Sequence, residues 1–219
     1  MEAVGSLSTE VKPPPHSLVT RDGLKHAAAN LVLAASFFVA ALPAAASYQS
    51  SLANGIWIAG AIVMGVFSLI RLPPRTVMIN ARSIAATGGM LVLPCLMRPG
   101  VASAGFIAAI GLALEGMGVF GTQIARIYMG RSFGLLPANR GIVTHGPFAF
   151  VRHPIYMGWL TMSAGYALSF PSWRNALLVA IALPFMMWRI DQEEALLKTD
   201  REFVAYCDRV PCRLVPGLL

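Results

Sequence analysis

Apolar positions in this sequence run in long blocks, not at the spacing that gives a soluble helix one wet face. A membrane-crossing helix needs roughly 20 mostly apolar residues, and about 17 at the short end. Blocks of that order cover Ala27–Ser47, Gly55–Ile70, Ser83–Met97 and Val101–Ala125, none with a Lys or Arg inside. A last apolar region, Pro154–Trp188, is broken at Pro171-Ser172-Trp173-Arg174-Asn175 and predicts a hairpin of two short helices. The pattern predicts an all-α, polytopic membrane bundle of about five to six helices, the last two forming the hairpin.

This divides the chain into a polar tail (Met1–His26) carrying Pro13-Pro14-Pro15, four spans over 27–125, and a C-terminal region over 126–219 that includes the hairpin. Lys25, the apolar stretch after it and Ala44-Ala45-Ala46 also match a signal peptide with its small-residue cleavage site. The stretch is read here as the first span.

Composition agrees with a membrane. Of 219 residues 56% are hydrophobic and 12% charged, with a mean hydropathy of +0.64, against roughly a quarter charged in soluble domains. Disorder is excluded by the same apolar content. The net charge of +7 in a soluble protein would raise the question of nucleic acid; here its distribution gives another answer. Lys12, Arg21 and Lys25 precede the first span; Arg71, Arg75 and Arg82 follow the second; Arg126, Arg131, Arg140 and Arg152 follow the fourth; Arg189, Lys198, Arg201, Arg209 and Arg213 follow the hairpin. Only Arg98 and Arg174 fall on the opposite side. Cations gather on the cytoplasmic face, so both termini are expected there, and no nucleic-acid partner is.

Two polar stretches carry candidate chemistry. The insert Tyr128–Gly158 joins the fourth span to the hairpin and is far longer than a simple turn needs, a mark of functional connections. It holds Gly130, Gly134, Gly141 and Gly146, and ends in Arg152-His153-Pro154, where Pro154 suits the first position of a helix. The amides of such a helix start, beside Arg152 and His153, suit an anion. The second stretch, Trp188-Arg189-Ile190-Asp191-Gln192-Glu193-Glu194, places Arg189 and Glu193 on one helix face. A charge at membrane depth costs about 2.5–3.5 kcal/mol on insertion scales, which marks such residues for function; snorkelling of Arg189 to the interface is the plain alternative.

The ordered set Gly130-Arg-Ser-Phe, Val143-Thr-x-Gly-Pro-Phe, Arg152-His-Pro-x-Tyr-x-Gly158, Arg189-x-x-x-Glu-Glu194 and Tyr206-x-x-Arg-Val-Pro211 resembles the isoprenylcysteine carboxyl methyltransferase family. These are integral-membrane enzymes dependent on S-adenosylmethionine and related to phospholipid N-methyltransferases. The resemblance covers about Tyr128–Pro216; the first hundred residues add only hydrophobicity. It implies cofactor binding by Arg140, Gly141, Ile142 and Val143, by Phe148, by His153, Pro154, Ile155 and Tyr156, and by Glu193, with Arg189 on the substrate. In two places the chain departs from the family. Phe148 stands where the family commonly has Tyr, and the segment between Glu194 and Tyr206 is about two residues shorter than in the eukaryotic enzymes.

The implied cofactor joins a sulfonium, an amino-acid zwitterion and an adenosine. Glu193 suits its amino group, the Arg152-His153 helix start its carboxylate, and Phe148 or Tyr156 its sulfonium through cation–π contact. Positioning and water exclusion are expected to supply much of the acceleration, with catalytic roles for Arg189, Arg152 and Glu194 and no metal. Arg189 suits a bidentate grip on an acceptor carboxylate; an amine acceptor would instead need a base, for which Glu194 or Asp191 is placed. The expected acceptor is lipophilic or amphipathic and reached from the bilayer: an isoprenylcysteine-like carboxylate, a phospholipid amine, or a small thiol or acid. A noncatalytic transporter or assembly protein retaining the fold is the alternative from another class, and it predicts no cofactor binding. Glu115, the one acid inside a span, lies among Gly111, Gly116 and Gly118 and suits either the acceptor cavity or helix packing. The methionines, Cys95, Cys207, Cys212, His16, His26 and His145 are assigned no chemistry.

Overall fold

A computed structural model describes residues 21–46, 52–70, 76–77, 80–130, 138–139, 141–215 and 217. Of the expected site residues, Arg140 lies outside the described residues, as do Gly134 and the polar tail to Thr20.

The described chain is helical. Seven helices follow in order: α1 (Arg21–Ala46), α2 (Leu52–Leu69), α3 (Ala81–Leu96), α4 (Gly105–Met129), α5 (Pro154–Ser169), α6 (Trp173–Leu197) and α7 (Arg201–Arg209). The only sheet among the described residues is a two-residue antiparallel ladder of β1 (Thr76–Val77) with β2 (Ala138–Asn139), pairing Thr76 with Asn139 and Val77 with Ala138. Local chemistry sets the helix ends. Asn80 and Ser83 form a reciprocal capping box at the start of α3, Ser172 accepts from the Asn175 amide at the start of α6, and Asp200 caps α7. Pro154 occupies the first turn of α5, where its missing N–H costs nothing. The hairpin break falls at Phe170–Ser172, and Asn175 ties it down by accepting from the Arg98 amide and donating to the Arg98 and Phe170 carbonyls.

Glycine controls the central packing. Helices α4 and α5 run antiparallel and form the most extensive helix–helix packing among the described residues. A Cβ at Gly118 would strike the backbone of Met162 and Gly158, and one at Gly165 the backbone of Glu115. Gly111 and Gly118 on α4, facing Gly158 and Gly165 on α5, bring the two backbones together as small residues do in membranes. Helices α1 and α2 pack as a second pair, and α3 packs along α6.

By length and hydropathy two described stretches suffice to cross a membrane, Gly23–Pro43 and Gly105–Met129; Asn54–Leu69 and Ala81–Leu96 are apolar but shorter. Large apolar side chains such as Phe106, Met117, Phe120 and Ile127 cover the outer face of α4, an amount of exposed apolar surface that suits lipid. Two boundaries differ from the sequence expectation. Val101–Ala104 precede α4 rather than opening it, and α4 continues past Ala125 to Met129. Arg126, expected among the flanking cations, is therefore inside the helix and fully buried, its guanidinium 6.0 Å from the Phe67 ring centre.

Between α1, α2, α3, α4 and α5 lies a pocket that is partly open to the outside. Its walls are mostly apolar: Phe37, Trp57, Met64, Met90, Val119, Trp159 and Met162. Thr122 and Gln123 are among its few polar residues, and neither Thr122 Oγ1 nor Gln123 Oε1 has a hydrogen-bond partner among the described residues.

Candidate functional site

Past the apolar length of α6, the helix carries Arg189, Glu193 and Glu194 toward the first turn of α5. Twenty-five residues span about 38 Å, more than a hydrocarbon core of about 30 Å, so the last turns of α6 extend beyond its apolar part. Two separate polar clusters form there.

In the first, Tyr156 stands between the two charges. Its hydroxyl accepts from Arg189 Nε at 2.7 Å and donates to Glu193 Oε2 at 2.8 Å. Arg189 is 6% exposed, and its Nη1 donates to the Thr87 hydroxyl of α3. Arg189 and Glu193 thus share a face, as their spacing predicts, but they communicate through a phenol. A bidentate grip of Arg189 on a carboxylate that used Nε or Nη1 would have to displace Tyr156 or Thr87.

The cluster adjoins the cavity. Trp159 lies one turn along α5 from Tyr156, and Met90 one turn along α3 from Thr87; both Met90 and Trp159 line the cavity and pack in one apolar cluster with Tyr156.

The second cluster surrounds Glu194. Arg152 Nε stands 3.0 Å from its Oε1 as an ion pair lacking hydrogen-bond alignment, His153 Nε2 is 3.2 Å from the same oxygen, and Arg213 Nη2 donates to Oε2 at 2.9 Å. Lys198 Nζ lies 4.0 Å away, and Arg213 also reaches Asp191 at 3.0 Å. Burial pushes the Glu194 carboxyl up, but the hydrogen bonds from His153 and Arg213 and the nearby cations outweigh it and hold the group at about 2. A carboxylate this acidic and this enclosed is a poor proton acceptor near neutrality. The geometry fits an internal counter-ion instead of the base that spacing alone allowed.

The helix start differs from expectation for the same reason. The anion that Arg152 and His153 face is the chain's own Glu194. The His153 amide donates to the Arg213 carbonyl at 2.9 Å, Pro154 has no N–H, and the Tyr156 amide turns back to the His153 carbonyl. Little of the first turn of α5 is left for an external anion.

The remaining expected residues divide between surface and core. Gly141 is exposed with φ +100°, while Ile142 and Val143 are half-buried, Ile142 packing on Phe203 and Tyr206 and Val143 on Phe148. Phe148 is 4% exposed, packed with Ala125 and Ile155, so it belongs to the core beneath the site. Its carbonyl accepts from the Tyr206 hydroxyl at 2.7 Å. Burial pushes that phenol up to about 12, so it remains a donor. A structural bond thus accounts for Tyr206 in the last motif. Gly146, with φ +62°, leaves room for the Tyr128 ring, which a Cβ would meet at 2.5 Å.

These residues fit the cofactor implied by the resemblance: Glu193 is a half-buried carboxylate for an ammonium, and the His153 and Tyr156 rings, 5.6 Å apart, are aromatic surface beside it. Thr87 was missed by sequence reading, since a threonine in an apolar stretch carries no pattern of its own. Known proteins share this stretch of chain. Residues 100–200 match the phospholipid methyltransferase family.

The likeness to that family is confined to this stretch, somewhat under half of the chain.

Within the same relationship, the chain is 32% identical over 121 residues to protein-S-isoprenylcysteine O-methyltransferase B of Arabidopsis thaliana, a match covering 52% of this chain and 61% of that protein. It is 31% identical over 108 residues to protein-S-isoprenylcysteine O-methyltransferase A of the same plant, covering 47% and 55%. The match therefore spans somewhat under two thirds of each relative. Tyr156, Arg189, Glu193 and the Glu194 cluster's Arg152 and His153 all fall inside the phospholipid methyltransferase stretch, whereas Thr87 and Arg213 lie outside it.

Proposed function

We propose that this chain is a multi-pass integral-membrane methyltransferase that uses S-adenosylmethionine and methylates the carboxylate of a lipophilic acceptor, of the isoprenylcysteine kind named in its relatives. The observation that carries it is buried Arg189, linked through Tyr156 to Glu193, next to an apolar pocket whose lining residues Met90 and Trp159 pack in one cluster with Tyr156. An acceptor's tail lies in the cavity among Trp57, Met90, Trp159 and Met162, and its carboxylate meets Arg189. A concave pocket with mostly apolar walls and a small number of polar groups is the usual form of a site for a lipophilic ligand.

When bound, S-adenosylmethionine supplies an electrophilic methyl group on a sulfonium. Glu193 and the His153 and Tyr156 rings would hold it, with the exposed backbone from Gly141. Arg189 orients the acceptor, and Tyr156 fixes the distance between the two charges, which is catalysis by positioning. A carboxylate acceptor surrenders no proton, so the site needs no base. This favours the carboxylate over a phospholipid amine, because Glu194 is held at about 2 by its cations.

Both termini and the cofactor site lie on the cytoplasmic face, where most cations flank the apolar blocks. The six crossings comprise α1 to α6. The test is transfer of isotopically labelled methyl from S-adenosylmethionine, by purified protein in bilayers, to a farnesylated cysteine derivative and to a membrane lipid extract. Base-labile label in the cysteine derivative supports the carboxylate reading; base-stable label in phospholipid moves the chain to the amine. Absence of cofactor binding together with no label in either acceptor restores the noncatalytic alternative.

A further inference from the structure

The chain's last described segment is not merely trailing. Arg152 N–H donates to the Cys212 carbonyl at 3.0 Å and His153 N–H to the Arg213 carbonyl at 2.9 Å, a two-bond strap across the start of α5. Leu214, 3% exposed, plugs into the cluster of Met186 and Ile190 on α6. One side chain joins all three elements: Glu194 of α6, 1% exposed, takes Arg152 and His153 from the α5 entry on Oε1 and Arg213 from the strap on Oε2.

The geometry points to Glu194 as the positioning residue of the cofactor site, an internal anion that pins the 210–215 strap to the α5 entry and so fixes His153 and Tyr156. This rests on the methyltransferase reading above. Glu193 and Glu194 are adjacent acids with opposite duties. Glu193 is half-buried and shares a hydrogen bond with Tyr156, while Glu194 is consumed within the protein. With its anion removed, the Arg152 and Arg213 guanidiniums are left facing each other beside the His153 ring in a poorly solvated space, and the entry and strap separate.

The experiment compares wild type, Glu194→Gln, Glu194→Asp and Glu194→Ala in detergent, with three readouts: calorimetric binding of S-adenosylmethionine, the KM–kcat split, and the rate of tryptic cleavage at Arg213. Glu194→Gln is expected to weaken cofactor binding at least about tenfold, to leave kcat at saturating cofactor within about threefold, and to speed cleavage at Arg213. Acetate is expected to restore part of the cofactor affinity of Glu194→Ala, and Glu194→Asp to lie between wild type and Gln even if the neutral variants fold poorly. Unchanged cleavage at Arg213, lost kcat with unchanged cofactor affinity, or tighter cofactor binding on freed cations would each overturn the inference. If wild type itself binds no cofactor, the methyltransferase reading fails and the positioning role with it, whereas a cofactor-binding wild type with an intact strap in every variant overturns only the role of Glu194.

Discussion

The Tyr156 hydroxyl stands between Arg189 and Glu193, accepting from one at 2.7 Å and donating to the other at 2.8 Å. Removing it leaves the ring packing in place and cuts the hydrogen-bonded link between cation and acid. Tyr156→Phe is expected to lower kcat/KM about tenfold or more, the effect of a lost hydrogen bond to charged groups, while moving the thermal midpoint in detergent little. Methyl-transfer kinetics beside a melting curve check this.

Arg189→Lys keeps the charge but loses the fork that reaches Tyr156 and Thr87 together. Turnover is expected to fall about a hundredfold, as when one partner of a buried charged network is truncated, with cofactor affinity by calorimetry nearly unchanged. Equal loss of cofactor affinity would move Arg189 out of the acceptor site.

The cavity makes a separate prediction. Ala61 lines it, remote from Glu193 and Glu194. Ala61→Leu is expected to raise the acceptor KM about tenfold, as filling an apolar pocket does, and to spare cofactor binding. An unchanged acceptor KM for a series of chain lengths would place the tail elsewhere.

Close packing of α4 on α5 can be tested by two neighbouring glycines. Gly118→Ala drives a Cβ into the Met162 and Gly158 backbone and is expected to cost about 2 kcal/mol or more, the range of overpacking. Gly116→Ala meets nothing within 4 Å and is expected to be neutral or slightly stabilising through helix propensity. Thermal unfolding of both in detergent separates them.

Acid stability follows from Glu194. Its carboxyl is held at about 2, below the ordinary 4.5, so it contributes stability in full above about 4.5 and loses it as pH falls toward 2. Wild type is expected to destabilise across that window, and Glu194→Gln to show a flatter profile there by circular dichroism.

Much of this was legible in the residues. Pro171 and Ser172 interrupt an apolar run with no other reason to break, and the helix ends there; Pro154 opens α5 because its missing N–H is harmless only at that point. Arg189 and Glu193 are neighbours because a helix makes them so. What was not legible depended on distant chain. Glu194 reads as a free acid until Arg152 and Arg213 fold onto it from either side in sequence. Phe148 reads as pocket surface until Ala125 and Ile155 cover it. Arg126 reads as a flanking cation because hydropathy ends at Ala125, while the backbone keeps its helical hydrogen bonds to Met129.

The hydrogen bond from Arg189 to Thr87 ties the front of the molecule to the candidate site. Thr87 lies outside the stretch that matches the family, yet it orients the guanidinium to which the proposed reaction assigns the acceptor. Residues 100–200 transplanted onto a foreign membrane anchor would carry every recognisable motif up to Glu194 and still leave that guanidinium with a buried donor facing hydrocarbon. The anchor helices are therefore part of the instrument, and α3 would be the first to need restoring in any minimal version of it.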